Sequence, residues 1–229
     1  MKLAEIFHSI QGEGKLAGVP SVFVRASGCN LRCVWCDTPY ASWSPEGRDL
    51  PVDEIVRQVA AFGSHHVVLT GGEPTIMPDF SALCSALNEI GRHITVETAA
   101  TVFVPTAVDL ASLSPKLSNS TPIEREGGRF AASHEKIRLN PQVIQRWIDT
   151  APDFQLKFVV SSPNDMAEIQ SLLSQLTHWT PSDILLMPEG ADAATLQSRS
   201  PWLAQLCQQT GFRFCPRLHI ALYGNRRGT

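Results

Sequence analysis

Short apolar stretches that read as strands alternate with helical stretches along nearly the whole chain. No other feature limits the fold as strongly, because this alternation is the mark of parallel β/α units. The strand readings are "SVFVRASG" (21–28), "HHVVLTGG" (65–72), "HITVETA" (93–99), "VDLASLSPK" (108–116), "FQLKFVVSS" (154–162), "DILLMPEG" (183–190) and "FRFCPRLHI" (212–220). Between them, 52–63, 79–91, 140–151, 162–176 and 193–211 carry apolar residues at helical spacing. Asp53 is the expected N-cap of the first helix and Gly63 its C-cap; Asn140 and Pro141 open a later one, and Pro201 is expected to kink or break the last. Six or seven strands in 229 residues fall short of a closed eight-fold barrel of about 250 residues. The expected fold class is therefore α/β, a partial (incomplete) β/α barrel of about six parallel strands, with a doubly wound sheet as the alternative. A single domain over 1–229 is expected, with 117–140 as a long, irregular, partly mobile crossover.

The unusual polar residues fall in one place. "CNLRCVWCDT", "TGGEP", "ETA", "SPK", "SSPND", "MPEG" and His219 each lie at the C-terminal end of a strand reading. In parallel β/α folds that edge carries the active site.

Composition narrows the class. Apolar residues make up 43% and charged residues 18%, with a net charge of −3. That gives no nucleic-acid or acidic-lipid surface, and no run is long enough to span a membrane. "MKLAEIFHSIQGEG" has no signal-peptide core, so a cytoplasmic protein is expected. In that compartment the six cysteines are expected as thiols. Cys84, Cys207 and Cys215 are scattered and read as small buried apolar groups. Cys29, Cys33 and Cys36 sit within eight residues. Three thiols cannot close a structural zinc site, and an iron–sulfur cluster held by three keeps one iron open to another ligand. A zinc completed by His65, His66 or His219, or simply free thiols, are the competing readings. The three-then-two spacing is unlike the paired knuckles of zinc ribbons.

"CNLRCVWC" resembles the Cys-x3-Cys-x-aromatic-Cys signature of the radical S-adenosylmethionine (SAM) superfamily, and "TGGEP" its Gly-Gly-Glu motif. The resemblance implies a [4Fe–4S] cluster on Cys29, Cys33 and Cys36, with its open iron chelating SAM. It implies reductive cleavage of SAM to methionine and a 5′-deoxyadenosyl radical that takes hydrogen from the substrate. SAM contacts are implied for Trp35, Gly71, Gly72, Glu73, Ser114, Pro115, Lys116, Ser161, Ser162 and Asn164, with Glu73 accepting from the SAM ammonium.

Within the superfamily, "IQGEG", "G-x-P-x-x-F-x-R", "CDT", "TGGEP", "ETA", "SPK" and "KFVVSS" resemble the 7-carboxy-7-deazaguanine synthase family over nearly the whole chain. That implies a radical SAM lyase of 7-deazapurine and queuosine biosynthesis. Its substrate is 6-carboxy-5,6,7,8-tetrahydropterin, contracted to 7-carboxy-7-deazaguanine with loss of ammonia. Mg²⁺ at Thr38 assists. Substrate contacts are implied for Ile10, Gln11, Gly12, Glu13, Arg25, Thr70, Glu97 and His219, with Arg25 on the substrate carboxylate. A flavodoxin or ferredoxin as electron donor and a homodimer are further implications. The tail "RLHIALYGNRRGT" departs from relatives whose last residue reaches the substrate; Arg226 and Arg227 either cover the site or aid solubility. A glycyl-radical-activating enzyme and a metal-stabilised binding module without turnover are the alternatives.

Overall fold

The computed structural model describes residues 1–229. Its strands and helices follow in the order β1 (Lys2–Ile10), β2 (Pro20–Ala26), β3 (Arg48–Asp49), α1 (Val52–Phe62), β4 (His66–Gly71), α2 (Phe80–Glu89), β5 (His93–Thr98), β6 (Leu110–Leu113), α3 (Ala131–Ile137), α4 (Pro141–Thr150), β7 (Asp153–Val160), α5 (Asp165–Leu173), β8 (Ile184–Pro188), α6 (Ala193–Thr210), β9 (Arg213–Phe214) and α7 (Leu218–Tyr223). All nine strands form one sheet in the order β3-β1-β2-β4-β5-β6-β7-β8-β9. From β2 to β9 every pairing is parallel; only β1 and β3 run against their neighbours. The order ends without closing on itself, as expected of a partial barrel. No helix is long and apolar enough to cross a membrane.

Strand parity separates core from cavity. Side chains alternate faces along a strand, so Val22, Val24, Ala26, Val67, Leu69, Ile94, Val96, Leu156, Phe158 and Val160 pack into the large helix-facing core. The intervening residues Phe23, Arg25, Thr70, Glu97, Lys157, Val159 and Met187 line the opposite, concave side. Helix α4 follows the sequence reading, with the Asn140 side chain capping Val143 N and Ile144, Trp147 and Ile148 buried. Gly63 closes α1 in the left-handed conformation, φ 73°.

Several local expectations are corrected. The first nine-residue strand, β1, was not anticipated; its polar residues Glu5, His8 and Ser9 hide the apolar alternation. Pro51, not Asp53, occupies the N-cap of α1. "FRFCPRLHI" is a strand for only two residues, and the chain then leaves the sheet to form α7, so His219 sits on a helix. Helix α6 runs continuously through Pro201. The 117–140 crossover is ordered around α3 and two short 3₁₀ turns.

Trp147 is 1% exposed, donates from Nε1 to Val102 O at 3.2 Å and meets Phe103 edge-on. Trp147→Ala should cost about 3–5 kcal/mol in urea unfolding. The concave side should keep its affinity for SAM, because Trp147 faces the helix layer; a parallel loss of affinity would contradict the two-sided division.

Candidate active site

The concave side holds a cavity of about 500 Å³ at the C-terminal ends of the parallel strands. Among the implied site residues, Ile10, Gln11, Gly12, Glu13, Arg25, Cys29, Cys33, Trp35, Cys36, Thr38, Thr70, Gly71, Gly72, Glu97, Ser114, Lys116 and His219 line it. Pro115, Ser161, Ser162 and Asn164 do not. The amides of Ser161 and Ser162 instead bond Asp165 Oδ2 at 2.7 and 3.1 Å. Glu73 also lies outside the lining. It is fully buried, and its carboxylate accepts from Thr75 Oγ1 and Thr98 Oγ1 at 2.6 Å each and from Ala99 N at 2.8 Å. These bonds hold Glu73 in place and fix the strand ends behind Gly72. Gly72 itself must be glycine, since a Cβ there would lie 2.0 Å from Gly28 O.

Opposite charges alternate along the cavity floor. Lys157 on β7 pairs with Glu13 Oε2, and Arg217 Nε donates to Glu13 Oε1 at 3.0 Å. Arg217 also donates from Nη2 to Asp37 Oδ2 and from Nη1 to Gly190 O. Burial alone would raise the carboxyl of Glu13, but the Lys157 and Arg217 charges outweigh it and hold it well below the usual carboxylate range. Asp37 is held low in the same way by Arg217. Burial would lower the Lys157 ammonium, yet Glu13 and Glu97 hold it above its ordinary value. A second cluster surrounds Glu97, which accepts from Gln11 Nε2 at 3.1 Å and Thr70 Oγ1 at 2.7 Å. Each Glu97 oxygen keeps a free lone pair. Arg25 spends only Nε on Glu5, at 2.7 Å, while Tyr40 donates to the same oxygen at 2.8 Å. His219 packs against Gly12, where a Cβ would fall 1.9 Å from Nδ1; burial lowers its pKa.

Lys157 and Arg217 were missed in the sequence. Lys157 does carry a clue, a lone cation inside the apolar strand "FQLKFVVSS". Arg217 gave no comparable clue, because its segment read as a strand.

Cys29, Cys33 and Cys36 form one wall, packed with Leu31, Ala99 and Trp35. Cys84 and Cys207 belong to the helix-facing core, and Cys215 accepts from Gly14 N at 3.1 Å. Three thiols spread along a loop over an open cavity suit a cluster with one iron left for another ligand. Burial pushes the Cys29 and Cys33 thiols up to about 12, and the positive charge of a bound cluster would stabilise their thiolates.

The 117–138 segment clamps this loop. Val34 N donates to Ser120 O at 2.8 Å, and Trp35 Nε1 donates to Asn119 O at 3.1 Å. Arg32 N donates to His134 Nδ1 at 3.1 Å, which puts the His134 proton on Nε2, 2.9 Å from Ser120 Oγ. Ser120 Oγ passes the direction on to Leu117 O at 2.6 Å. Burial holds His134 down at about 4, so at neutral pH the ring is uncharged and able to accept.

The chain end also returns to the site. After Gly224, at φ 71°, Asn225, Arg226, Arg227 and Thr229 line the cavity. Arg227 lies 4.2 Å from the Tyr40 ring centroid and donates to Glu46 Oε2 at 2.9 Å and Ala4 O at 3.1 Å. Of the two readings of the tail, covering the site is the one these contacts match.

Comparison with known proteins assigns the class. Residues 23–114 match the model of the radical SAM superfamily. Together with the three-thiol wall at the strand C-termini, this defines a radical SAM enzyme, a class whose chemistry uses a [4Fe–4S] cluster and SAM. The crystal structure of QueE from Escherichia coli superposes with a TM-score of 0.69 at 26% identity, covering 95% of this chain and 94% of that one. The 7-carboxy-7-deazaguanine synthase of Rhodopirellula baltica is 44% identical over 227 residues, 99% of this chain and 88% of that protein. The synthase of Halobacterium salinarum is 44% identical over 235 residues, 98% of this chain and 91% of that protein. The chain belongs to the 7-carboxy-7-deazaguanine synthase family and is a radical SAM lyase of 7-deazapurine biosynthesis.

Two outcomes follow from the geometry. Glu13→Gln leaves Lys157 and Arg217 short of a buried counter-charge and should cost about 3–5 kcal/mol at pH 7. The Glu13 contribution is complete above its unfolded value of about 4.3 and is lost as pH falls below it. The gap between wild type and variant in urea melts should therefore narrow below that pH. A gap that stays constant down to pH 3 would refute the cation-held carboxylate. His134→Leu should strand the Arg32 N–H and remove the bond that Ser120 Oγ accepts, costing about 1–3 kcal/mol, and should lower the iron retained per chain after reconstitution. Full iron loading at wild-type stability would show that the clamp does not depend on His134.

Proposed function

We propose that this cavity binds 6-carboxy-5,6,7,8-tetrahydropterin and that the chain converts it to 7-carboxy-7-deazaguanine with loss of ammonia. The observation that carries the reading is the sharing of one cavity by the three-thiol wall, Arg25 and the Gln11–Glu97–Thr70 acceptor group. A pterin presents a guanidine-like edge of donors, which the open lone pairs of Glu97 and the backbone around Ile10, Gln11 and Gly12 can accept. Glu13 has both oxygens on cations, so its part is to fix the floor and shape the edge of the pterin pocket. The two Nη groups of Arg25 make a fork for the substrate carboxylate. Bound cluster and SAM supply the electron and the carbon radical that takes hydrogen from the carbon bearing that carboxylate. The protein's own work is to hold that carbon in place and to exclude water, with Phe7, Phe23 and the returning tail closing the cavity.

Thr38 beside Asp37 offers a hydroxyl for Mg²⁺, an ion that keeps its waters and borrows substrate oxygens. Lys116, tied to Ser114 O and Oγ at 2.7 Å each, stands over Trp35 as a cation for the SAM carboxylate. A flavodoxin- or ferredoxin-type donor, a homodimer, a cytoplasmic site and supply to queuosine complete the reading.

The test is anaerobic turnover of reconstituted protein with SAM, dithionite, Mg²⁺ and the carboxytetrahydropterin, read by mass spectrometry. Product of the deazaguanine mass is expected, absent in Cys33→Ala. Arg25→Ala should lower kcat/KM about 30- to 1,000-fold, the worth of a buried charge pair of about 2–4 kcal/mol. SAM cleavage without that product would overturn the substrate assignment.

A further inference from the structure

The turn that carries Gln11 and Glu13 is held from beneath as well as from the side. From the side, Lys157 and Arg217 bond Glu13, and Leu218 N donates to Gly12 O at 2.8 Å. From beneath, the hold is one glutamine. Gln155 stands on β7 two residues before Lys157, so both side chains point to the concave side. Gln155 is 2% exposed and does not line the cavity. Its Oε1 accepts from Lys15 N at 2.7 Å, and its Nε2 donates to Ser112 Oγ, also at 2.7 Å. Ser112 is itself buried and lies opposite Gln155 in register on β6. The turn rests closely on this amide: a Cβ on Gly14 would fall 2.2 Å from Gln155 Nε2.

A buried amide side chain bonded at both ends is a stiff spacer, because leaving either end unpaired is costly. This one runs from strand β6 to the main chain of the turn, and so sets the height of the turn above the sheet. The ion pairs reach the turn only through the Glu13 side chain. The height matters because the backbone around Gln11 and Gly12 and the carboxylate of Glu97 must meet one flat ring edge together. Hydrogen bonds tolerate only a few tenths of an ångström before they weaken.

We propose that Gln155, propped by Ser112, is a positioning residue for pterin recognition: it fixes the 11–15 turn at the height where its acceptors and Glu97 read the same edge of a planar ring. This rests on the pterin reading of the cavity. Gln155 lines neither the pterin pocket nor the thiol wall, so its loss is felt in binding of the pterin and not in binding of SAM.

The test separates the two ligands on cluster-loaded protein. Gln155→Met keeps the length of the side chain and removes both bonds. It should raise KM for the carboxytetrahydropterin about 10- to 100-fold, as a misplaced support does, with kcat close to wild type. The pterin Kd from calorimetry, with SAM bound and the cluster oxidised so that no turnover occurs, should rise in step. The Kd of SAM and the iron per chain should match wild type. Ser112→Ala frees only the far end of the prop and should raise the pterin Kd about three- to tenfold, the worth of one hydrogen bond. Gln155→Glu restores an acceptor for Lys15 N and lets the Ser112 hydroxyl donate, so it should recover a pterin Kd near that of wild type.

Wild-type pterin affinity in Gln155→Met would overturn the positioning role. So would equal losses of pterin and SAM affinity, which mark general damage, or a Gln155→Glu chain no better than Gln155→Met. If Gln155→Met does not fold, an unchanged pterin Kd in Ser112→Ala overturns it. Failure of wild-type protein with a full cluster to bind the pterin would instead strike the substrate assignment itself.

Discussion

The structure turns on one chain of charge, Lys157–Glu13–Arg217–Asp37, buried at its Lys157 and Arg217 members and reaching partly exposed Asp37. Its members come from strand β7, the loop after β1, the segment before α7 and the cysteine loop. No two of them are near in sequence, so the chain joins four separately folded pieces at the cavity floor. Its value does not lie in net stability. A buried ion pair often only breaks even against apolar packing, while loss of one member is costly. What alternating buried charges do well is specify: a piece in the wrong register would leave an unpaired charge in a dry place. The loop with Gln11 and Gly12, the loop with the three thiols and the helix with His219 are held to one another by that requirement.

Much of this was legible in the sequence, and the reason is periodicity. The alternation of strand and helix fixes the parallel sheet, and the strand C-terminal edge fixes where Cys29, Gly71, Glu97 and Ser114 must gather. The period of two within a strand separates Arg25 and Thr70 from the helix-facing core. Where that pattern lapses, the reading lapses too. β1 alternates weakly because Glu5, His8 and Ser9 interrupt its apolar pattern, so no strand is read there. Arg217 and His219 are brought to the floor by a turn out of the sheet, which local propensity does not register. Glu73 is a different case. Its motif was visible, but whether its carboxylate faces a ligand or the wall depends on Thr75, Thr98 and the amide of Ala99, which only the tertiary structure brings together.

The least periodic segment, 117–138, has the most specific local task. A loop carrying three cysteines cannot satisfy its own backbone groups by forming a helix or strand, because the thiols must point to one side. Its amides and carbonyls need partners from elsewhere. Ser120 O, His134 Nδ1 and the Arg125 guanidinium supply them one at a time, and the Asn119 carbonyl takes the Trp35 indole N–H. Such a clamp is built from individually placed groups, so no sequence period announces it.

The tail shows the same economy at the other side of the cavity. Glu5 accepts from Arg25 and Tyr40 on one oxygen and faces Arg227 with the other, at 3.4 Å. The cation assigned to the substrate carboxylate and the cation that ties down the chain end thus share one counter-charge. The Arg227 link is half exposed and weak by itself, whereas the Arg25 link is shorter, at 2.7 Å, and more shielded from solvent. A carboxylate arriving at Arg25 would weaken its hold on Glu5 and leave more of that charge for Arg227. Filling the site would then tighten its cover through a single glutamate. This coupling follows from ordinary electrostatics between neighbours and needs no movement of the strands beneath.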